Sequence, residues 1–360
     1  MRIRETTVED RAAWDTFADS EGGNFGHYFD WKYVIEARGH QYIPLLAETA
    51  ASGIIGILPI TEYKWGLYSG LYSEIHPGGL LLKRELSDTE RYGVISALLK
   101  YVDKHYSERC SRFTLRENLS PINEVSEEPT TAIIDSGYRF KYDASTHLPC
   151  TFVLELKPPF GENIWKGLWS NRLRGKLNKV EKDGVVVIDD QEFRYIDEYI
   201  DMFFENCKRH GTIPYATREQ IRAEINIFRD KAKLFVALLD DRPIVAASCY
   251  YTTSTCFWWE IGSYLKDTGN ANLLCLKAII EDACDAGYRF IDFGFTGTSS
   301  LAGHKEQLKG TRVPFRLYEK RYDSLRTLLR LTPRILDRAW HDKTYLWKRR
   351  RRLWDTISHR

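Results

Sequence analysis

The chain has 360 residues, which is more than one domain of ordinary size, so its length predicts about two domains. Its 43% hydrophobic, 28% charged and 13% aromatic residues are typical of a globular protein and exclude extended disorder. The net charge of +2 divides unevenly: residues 321–360 hold 12 Lys and Arg against 4 Asp and Glu, so this tail carries +8 and the body −6.

Targeting and redox features are few. No apolar run approaches the length of a membrane span, and charged residues such as Glu5, Glu9 and Asp10 interrupt the first 20 residues. We therefore expect no signal peptide and a cytoplasmic protein. The seven cysteines are odd in number, lie mostly in apolar runs and form no Cys-x-x-Cys pair. They predict reduced core residues and no metal site. We also expect no cofactor, since the sequence shows no dinucleotide-binding fingerprint.

The first part of the chain predicts strands at 42–48, 53–62 and 113–116, with a helix from Ser87. The helix prediction rests on a capping box, Ser87 to Glu90, followed by apolar residues at helical spacing. The same order recurs later in the chain, with strands at 234–239, 244–252, 256–264 and 290–293 and a helix from Asn270. This repeat favours a tandem of two similar domains, although strand pairs and helices also recur by chance in mixed proteins.

The proline-rich stretch at 143–159 predicts the join between the halves. Residues 1–150 are assigned to a first domain, 151–322 to a second, and 323–360 to a tail. Three helices are expected between the join and the second repeat: 170–183, 195–209 and 217–230. The last of them begins with a second capping box, Thr217 to Gln220.

The helix at 170–183 is rich in cations. The sequence places Arg172, Arg174, Lys176 and Lys179 around an apolar stripe that would face the core. These side chains would bind the phosphates of a nucleotide, a tRNA or a lipid-linked precursor. The alternative is the solvated face of an ordinary amphipathic helix.

Three residues are predicted to carry chemistry. Glu260 lies in an aromatic strand, where desolvation would raise its pKa and make it a base for an attacking amine. Asp292 ends a short buried strand, and a polar Gly/Ser/Thr loop would then bring Lys305 and Lys309 to the exit of that strand. The alternative for each is a side chain that faces solvent.

The tail predicts two amphipathic helices. Arg326, Arg330, Arg334 and Arg338 recur every four residues, and tryptophans and leucines follow another face. This composition fits docking on the anionic inner face of a membrane, packing on the body or a partner, or contact with tRNA.

Several of these motifs resemble the FemAB-like transferases of the GNAT superfamily. The resemblance lies in the cationic helix that ends in Glu-Lys-Asp-Gly-Val at 181–185, and in Asp292-Phe293-Gly294 followed by Lys305. His304 occupies the position where that family has an aromatic residue. A weaker similarity places Lys32, in Tyr-Phe-Asp-Trp-Lys at 28–32, near a groove between the domains.

The resemblance implies an α+β, mixed α/β fold of two GNAT-like domains, each a mostly antiparallel sheet flanked by helices. It also implies an enzyme that moves an activated acyl or aminoacyl group onto an amine of a peptide, an amino sugar or a lipid-linked cell-envelope precursor. The donor would be aminoacyl-tRNA or acyl-coenzyme A, with no role for DNA. At 266–272 the chain keeps one glycine, Gly269, of the turn that binds the coenzyme A pyrophosphate, and Gly269 and Asn272 are the candidates there. A rival interpretation is a non-catalytic binding module close to the membrane.

Overall fold

The computed structural model describes residues 1–65, 68–73, 78–117, 130–140, 150–264, 270–314 and 316–322. The strands are β1 Arg2–Glu5, β2 Gln41–Thr49, β3 Gly53–Trp65, β4 Tyr68–Tyr72, β5 Leu81–Leu82, β6 Arg112–Glu117, β7 Arg139–Phe140, β8 Cys150–Glu155, β9 Val186–Asp189, β10 Ala232–Leu239, β11 Arg242–Tyr251, β12 Thr255–Ser263, β13 Phe290–Asp292, β14 Thr311–Pro314 and β15 Arg316–Arg321. The helices are α1 Arg11–Ser20, α2 Trp31–Ala37, α3 Asp88–Tyr106, α4 Thr131–Asp135, α5 Asn171–Lys182, α6 Ile196–His210, α7 Arg218–Ile227, α8 Ala271–Asp285 and α9 Ser299–Gln307.

The strands form two mixed sheets. The first has the order β1-β2-β3-β4-β6-β15-β7, with β5 paired to β3, and the second has the order β14-β8-β13-β12-β11-β10-β9. Most neighbours are antiparallel, and the parallel pairs between named strands are β4 with β6 and β12 with β13. Helix α3 packs on the first sheet, and α8 packs against β10, β11 and β12 of the second. The predicted α+β fold with two similar sheets is confirmed.

Local signals explain why the predicted elements form where they do. Ser87 and Thr217 both form the predicted capping boxes, with Glu90 and Gln220, because each side chain satisfies a backbone N–H that the first helical turn leaves unpaired. Helix α5 begins after Ser170, whose hydroxyl accepts from the Leu173 N–H. Leu177, one turn further along α5, is buried in the hydrophobic core between the second sheet and its helices, as the helical spacing predicts.

One buried cluster joins the two halves. Phe25 and Trp31 from the N-terminal segment pack with Tyr250 and Phe257 of the second sheet, and the Phe25 and Tyr250 rings stack with centroids 4.7 Å apart. Strand β15 also returns to the first sheet and pairs with β6. A division by sheet would therefore assign residues 316–321 to the first half. The proposed boundaries at 150 and 322 follow the sequence and do not coincide with the division of the strands between the two sheets.

The structure corrects one expectation about the segment after β13. Lys305 was predicted on a polar loop, but it lies on α9. The helix forms because the Thr298 hydroxyl accepts from the Leu301 N–H at its start, and because Ala302 and Leu308 give it a buried face. The predicted tail helices at 323–360 and the loop containing Gly269 lie outside the described residues.

The seven cysteines are free, and all except Cys207 are buried, which agrees with the prediction of reduced core residues. Within the parts of the chain that the structure describes, no helix combines the length and apolarity needed to cross a membrane. The same residues contain no group of three or more His, Cys, Asp or Glu side chains placed to hold a metal ion.

Candidate active site

The site is built where two parallel strands separate. β12 and β13 pair from Thr255 opposite Phe290 to Phe257 opposite Asp292, and β12 then continues to Ser263 paired with β11. Beyond that point the edges of the two strands are no longer paired with each other. The carboxyl ends of parallel strands commonly open into ligand sites, because the loops that follow them leave room between the strands.

A cavity of about 1530 Å³ occupies this opening. Its walls come from both halves of the molecule. From the second half they include Trp258, Trp259, Glu260, Asn206, Arg209, His210, Tyr215, Asn272, Phe293, Gly294, Phe295, His304 and Lys305, and from the first half Arg38, Tyr63, Tyr72 and Arg112. A cavity of this size, with aromatic walls and a few charged groups, suits an extended polar substrate.

Glu260 is the acidic side chain of the cavity wall. It is half-buried on β12 opposite Ser248, and no described residue donates a hydrogen bond to its carboxylate. Burial and, after it, the charge of Glu224 raise the pKa of Glu260 to about 8, while Lys305 opposes the shift. A carboxyl with such a pKa can take a proton from an amine near neutral pH.

Asp292 lies beside the cavity and is not part of its lining. Its carboxylate accepts from the Gly294 N–H at 2.8 Å and from the Thr151 hydroxyl, and its side chain is buried. Burial raises the pKa of Asp292, while these two hydrogen bonds and the nearby cations oppose the shift. Asp292 therefore orients the turn that follows β13, and a direct part in the reaction stays a prediction.

Lys305 reaches the same turn from α9. Its ammonium group donates to the carbonyl oxygens of Gly294 at 2.9 Å and Phe295 at 3.0 Å, and to the Thr296 hydroxyl at 2.9 Å. The three contacts match the three N–H bonds of an ammonium group. Burial lowers the pKa of Lys305 to about 8, against the charges of Asp292 and Glu260. The structure thus places a cation in the cavity wall, with its hydrogen bonds directed to the protein.

The predicted substrate-binding residues are scattered. Asn272 lines the cavity, and Lys176 lies close enough to lower the pKa of His304, although burial and then Lys305 act more strongly on that ring. Arg172, Lys179 and Lys309 are exposed outside the lining. Arg174 donates to the carbonyl oxygens of Trp165, Lys166 and Trp169, so it closes the turn before α5. Lys32 pairs with Glu36 and does not line the cavity.

Several residues of the site carry no signal in the sequence. Arg38, Tyr63 and Arg112 lie in separate elements of the first half, and the packing of the two sheets brings them to the same cavity as Glu260. Their side chains are also typical of ordinary helix ends and strands, so no motif distinguishes them. His304 is an exception, since the sequence marks it as the residue before Lys305.

Comparison with known proteins agrees with this architecture. Residues 170–306 match the family model described as an acetyltransferase (GNAT) domain, and the sequence matches no curated protein. The structure resembles FemX with a TM-score of 0.69 at 12% identity, covering 92% of this chain and 100% of that one. It also resembles L-PGS from Bacillus licheniformis (TM-score 0.55, 13% identity, 92% and 97% covered) and a tandem GNAT protein of the clavulanic acid biosynthesis pathway (0.53, 11%, 90% and 99%).

Residues 170–306 thus match a GNAT domain, and the chain has the fold of tandem GNAT proteins, as the sequence resemblance implied. The model matched over residues 170–306 is an acetyltransferase domain, and this match makes the protein a transferase. The matched residues 170–306 contain the diverging strands β12 and β13 together with Glu260 and Lys305. The rival interpretation as a non-catalytic binding module is therefore not carried further.

Proposed function

We propose that the protein transfers an activated aminoacyl group onto an amine of a peptide, an amino sugar or a lipid-linked cell-envelope precursor. The observation that carries the proposal is the placement of Glu260, a carboxyl with a pKa of about 8, in the wall of a large cavity at the diverging strands. In the reaction the acceptor nitrogen attacks the acyl carbon. The C–N bond forms, the bond to the leaving group breaks, and Glu260 takes the proton that the nitrogen loses.

Lys305 and residues 293–295 line the same cavity as Glu260. The ammonium group of Lys305 lies behind the backbone of Gly294 and Phe295, where its positive charge would favour negative charge on the acyl oxygen or the leaving group. Asp292 would act through this turn, since its carboxylate accepts from the Gly294 N–H.

For the donor we favour aminoacyl-tRNA over acyl-coenzyme A. Exposed cations on α5, including Arg172 and Lys179, are suited to a polyanion larger than a dinucleotide. Lys176, on the same helix, lies close enough to His304 in the cavity wall to lower its pKa. Of the two donors that the resemblance leaves open, aminoacyl-tRNA is the one typical of FemAB-like proteins. The sequence at 266–272 retains little of the glycine-rich turn that coenzyme A requires.

The test is transfer of a radiolabelled group to amine acceptors, with charged tRNA and acetyl-coenzyme A as parallel donors. Transfer from charged tRNA that RNase abolishes, and that Glu260→Gln lowers at least about a hundredfold, is the expected result. The exposed carboxylate Glu219 supplies the matched control, Glu219→Gln, which should transfer at the normal rate. Transfer from acetyl-coenzyme A that survives RNase would replace the proposed donor, and full activity of Glu260→Gln would remove the proposed base.

The tail gives a separate proposal about location. Its arginine repeat and tryptophans are suited to an anionic membrane surface, so residues 323–360 would hold the enzyme at the inner face of the membrane. The full chain should pellet with anionic vesicles at low salt, and a chain ending at Tyr322 should not. Equal pelleting of both chains would contradict the proposal.

A further inference from the structure

Glu224 is a buried carboxylate that the proposed reaction does not use directly. It lies on α7 with a side chain only 1% exposed, and it forms an ion pair with Arg38 at the end of α2, whose side chain is 13% exposed. The pair joins the first half of the molecule to the second. A charge in such a place requires close partners, because burial removes its hydration.

The partners of Glu224 lead to the active site. Arg38 and the hydroxyl of Tyr250, at 3.1 Å, both donate to its carboxylate, and Trp259 lies close enough to lower its pKa. Trp259 directly precedes Glu260 in β12, and Arg38, Trp259 and Glu260 line the same cavity. Glu224 is therefore held one layer behind the wall that presents Glu260.

We propose that Glu224 is a positioning residue for the transfer, whose buried negative charge sets how readily Glu260 takes a proton from the acceptor amine. This inference rests on the proposed function. The physical basis is that a like charge in a poorly hydrated environment disfavours a second ionised carboxylate. Glu224 thus makes Glu260 a stronger base than burial alone would.

The electrostatic neighbours of Glu260 are Glu224 from α7, Lys305 from α9, Tyr199 and Cys207 from α6, and Tyr215 from the segment before α7. Among them Glu224 supplies the negative charge and Lys305 the positive charge. The other charged or titratable side chains around the same cavity are those of Arg38, Arg112, Arg209, His210 and His304. The raised pKa of Glu260 has the same causes, first burial and then Glu224.

The experiment compares the pH dependence of kcat/KM for the full chain and for Glu224→Gln, which keeps the shape of the side chain and removes its charge. The midpoint of the acid limb should move to lower pH by roughly one unit, the size of one nearby charge. Glu219→Gln removes an exposed carboxylate from the same helix and should leave the midpoint in place. A Glu224→Gln profile that superimposes on the normal one would overturn the inference.

A second variant separates charge from folding. Glu224→Gln leaves the Arg38 guanidinium buried without its anion, which can weaken the packing of α2 on α7. The double variant Arg38→Gln with Glu224→Gln replaces both charges by amides. It should still shift the midpoint downward, but by less than Glu224→Gln alone, because Arg38 lines the same cavity and its charge favours the ionised form of Glu260. A normal midpoint in a folded double variant would contradict the role given to the Glu224 charge.

The ionisation of Glu260 can also be followed without any donor. The free energy of unfolding is measured against pH for each protein and for the same protein carrying Glu260→Gln, and the difference reports the titration of Glu260. The midpoint of that difference should fall with Glu224→Gln and not with Glu219→Gln. If it falls while no transfer occurs with any donor, the proposed function fails and the coupling of Glu224 to Glu260 stands. If transfer occurs and neither midpoint moves, the inference fails and the function stands.

Discussion

Asp292 and Lys305 hold the same residue, Gly294, from opposite ends of its backbone. The carboxylate of Asp292 accepts from the Gly294 N–H at 2.8 Å, and the ammonium group of Lys305 donates to the Gly294 carbonyl oxygen at 2.9 Å. Gly294 has a φ of 74°, a left-handed conformation that other residues adopt at a cost. The two charged groups therefore fix the turn at which β13 leaves β12, on one wall of the cavity.

Lys305→Met should lower both activity and stability. The substitution removes the cation and leaves the carbonyl oxygens of Gly294 and Phe295 without their donor, so the free energy of unfolding should fall by about 1–3 kcal/mol. We expect kcat/KM to fall about tenfold or more, the scale of one charge-assisted contact. Urea unfolding and steady-state kinetics measure the two effects. Lys104→Met, at an exposed position on α3, is the control. Loss of stability with normal kcat/KM would limit Lys305 to a role in folding.

Gly262→Ala should push α6 away from β12. A Cβ at Gly262 would lie 2.6 Å from the Phe203 nitrogen and 2.7 Å from the Met202 carbonyl carbon, and backbone at such distances must shift. We expect the free energy of unfolding to fall by about 1–3 kcal/mol, and kcat/KM to fall because Gly262 also lines the cavity. Gly175→Ala in α5 is the matched control. Its Cβ would meet nothing within 4 Å, so alanine should be neutral or stabilising there. Equal stability of the two variants would contradict the tight packing.

Arg38→Gln should be strongly destabilising, because it leaves the carboxylate of Glu224 buried without its cation. Removal of one partner from a buried ion pair typically costs about 3–5 kcal/mol. The further change Glu224→Gln should recover much of that loss, since two amides in place of the pair leave no buried charge. Urea unfolding of Arg38→Gln, Glu224→Gln and the double variant gives the free energy of interaction between the two side chains. Additive losses would show that the two side chains act independently.

Because His27 is buried as a neutral ring, we expect the free energy of unfolding to fall in acid. Burial lowers the pKa of His27 to about 4, and the neutral ring accepts from the Asn24 N–H and contacts the Gly79 carbonyl oxygen. An unfolded histidine has a pKa of about 6.5, so between these two values the unfolded chain binds the proton that the folded protein does not. The free energy of unfolding should thus fall as the pH decreases from about 6.5 to about 4.

The loss should reach about 3 kcal/mol relative to His27→Gln, which has no ionisable group at this position. The measurement is the difference in unfolding free energy between the two proteins at several pH values, so that the titration of all other groups cancels. A difference that stays constant between pH 7 and pH 4 would contradict the assignment of a neutral buried ring.

Much of the secondary structure follows from the sequence because its signals act over a few residues. Ser87 with Glu90, and Thr217 with Gln220, cap their helices through side chains three residues away, and the apolar spacing along α3 and α8 predicts the faces that become buried. The same local reasoning placed Glu260 in an aromatic strand and Asp292 at the end of a buried one. It mistook the start of α9 for a loop, since glycine, serine and threonine there are equally typical of turns.

Only the tertiary structure decided which of these residues share a site. Arg38 and Glu224 are separated by 186 positions in the chain, and their contact depends on how α2 packs against α7. The ammonium group of Lys305 turns toward Gly294 because α9 packs beside β8, while most of the cations of α5 stay outside the cavity. The sequence alone thus determined the strands, the helices and the order of the two halves, because caps and apolar periodicity are local. The cavity and the environment of Glu260 were decided by packing, because burial and charge act between residues that only the folded chain brings together.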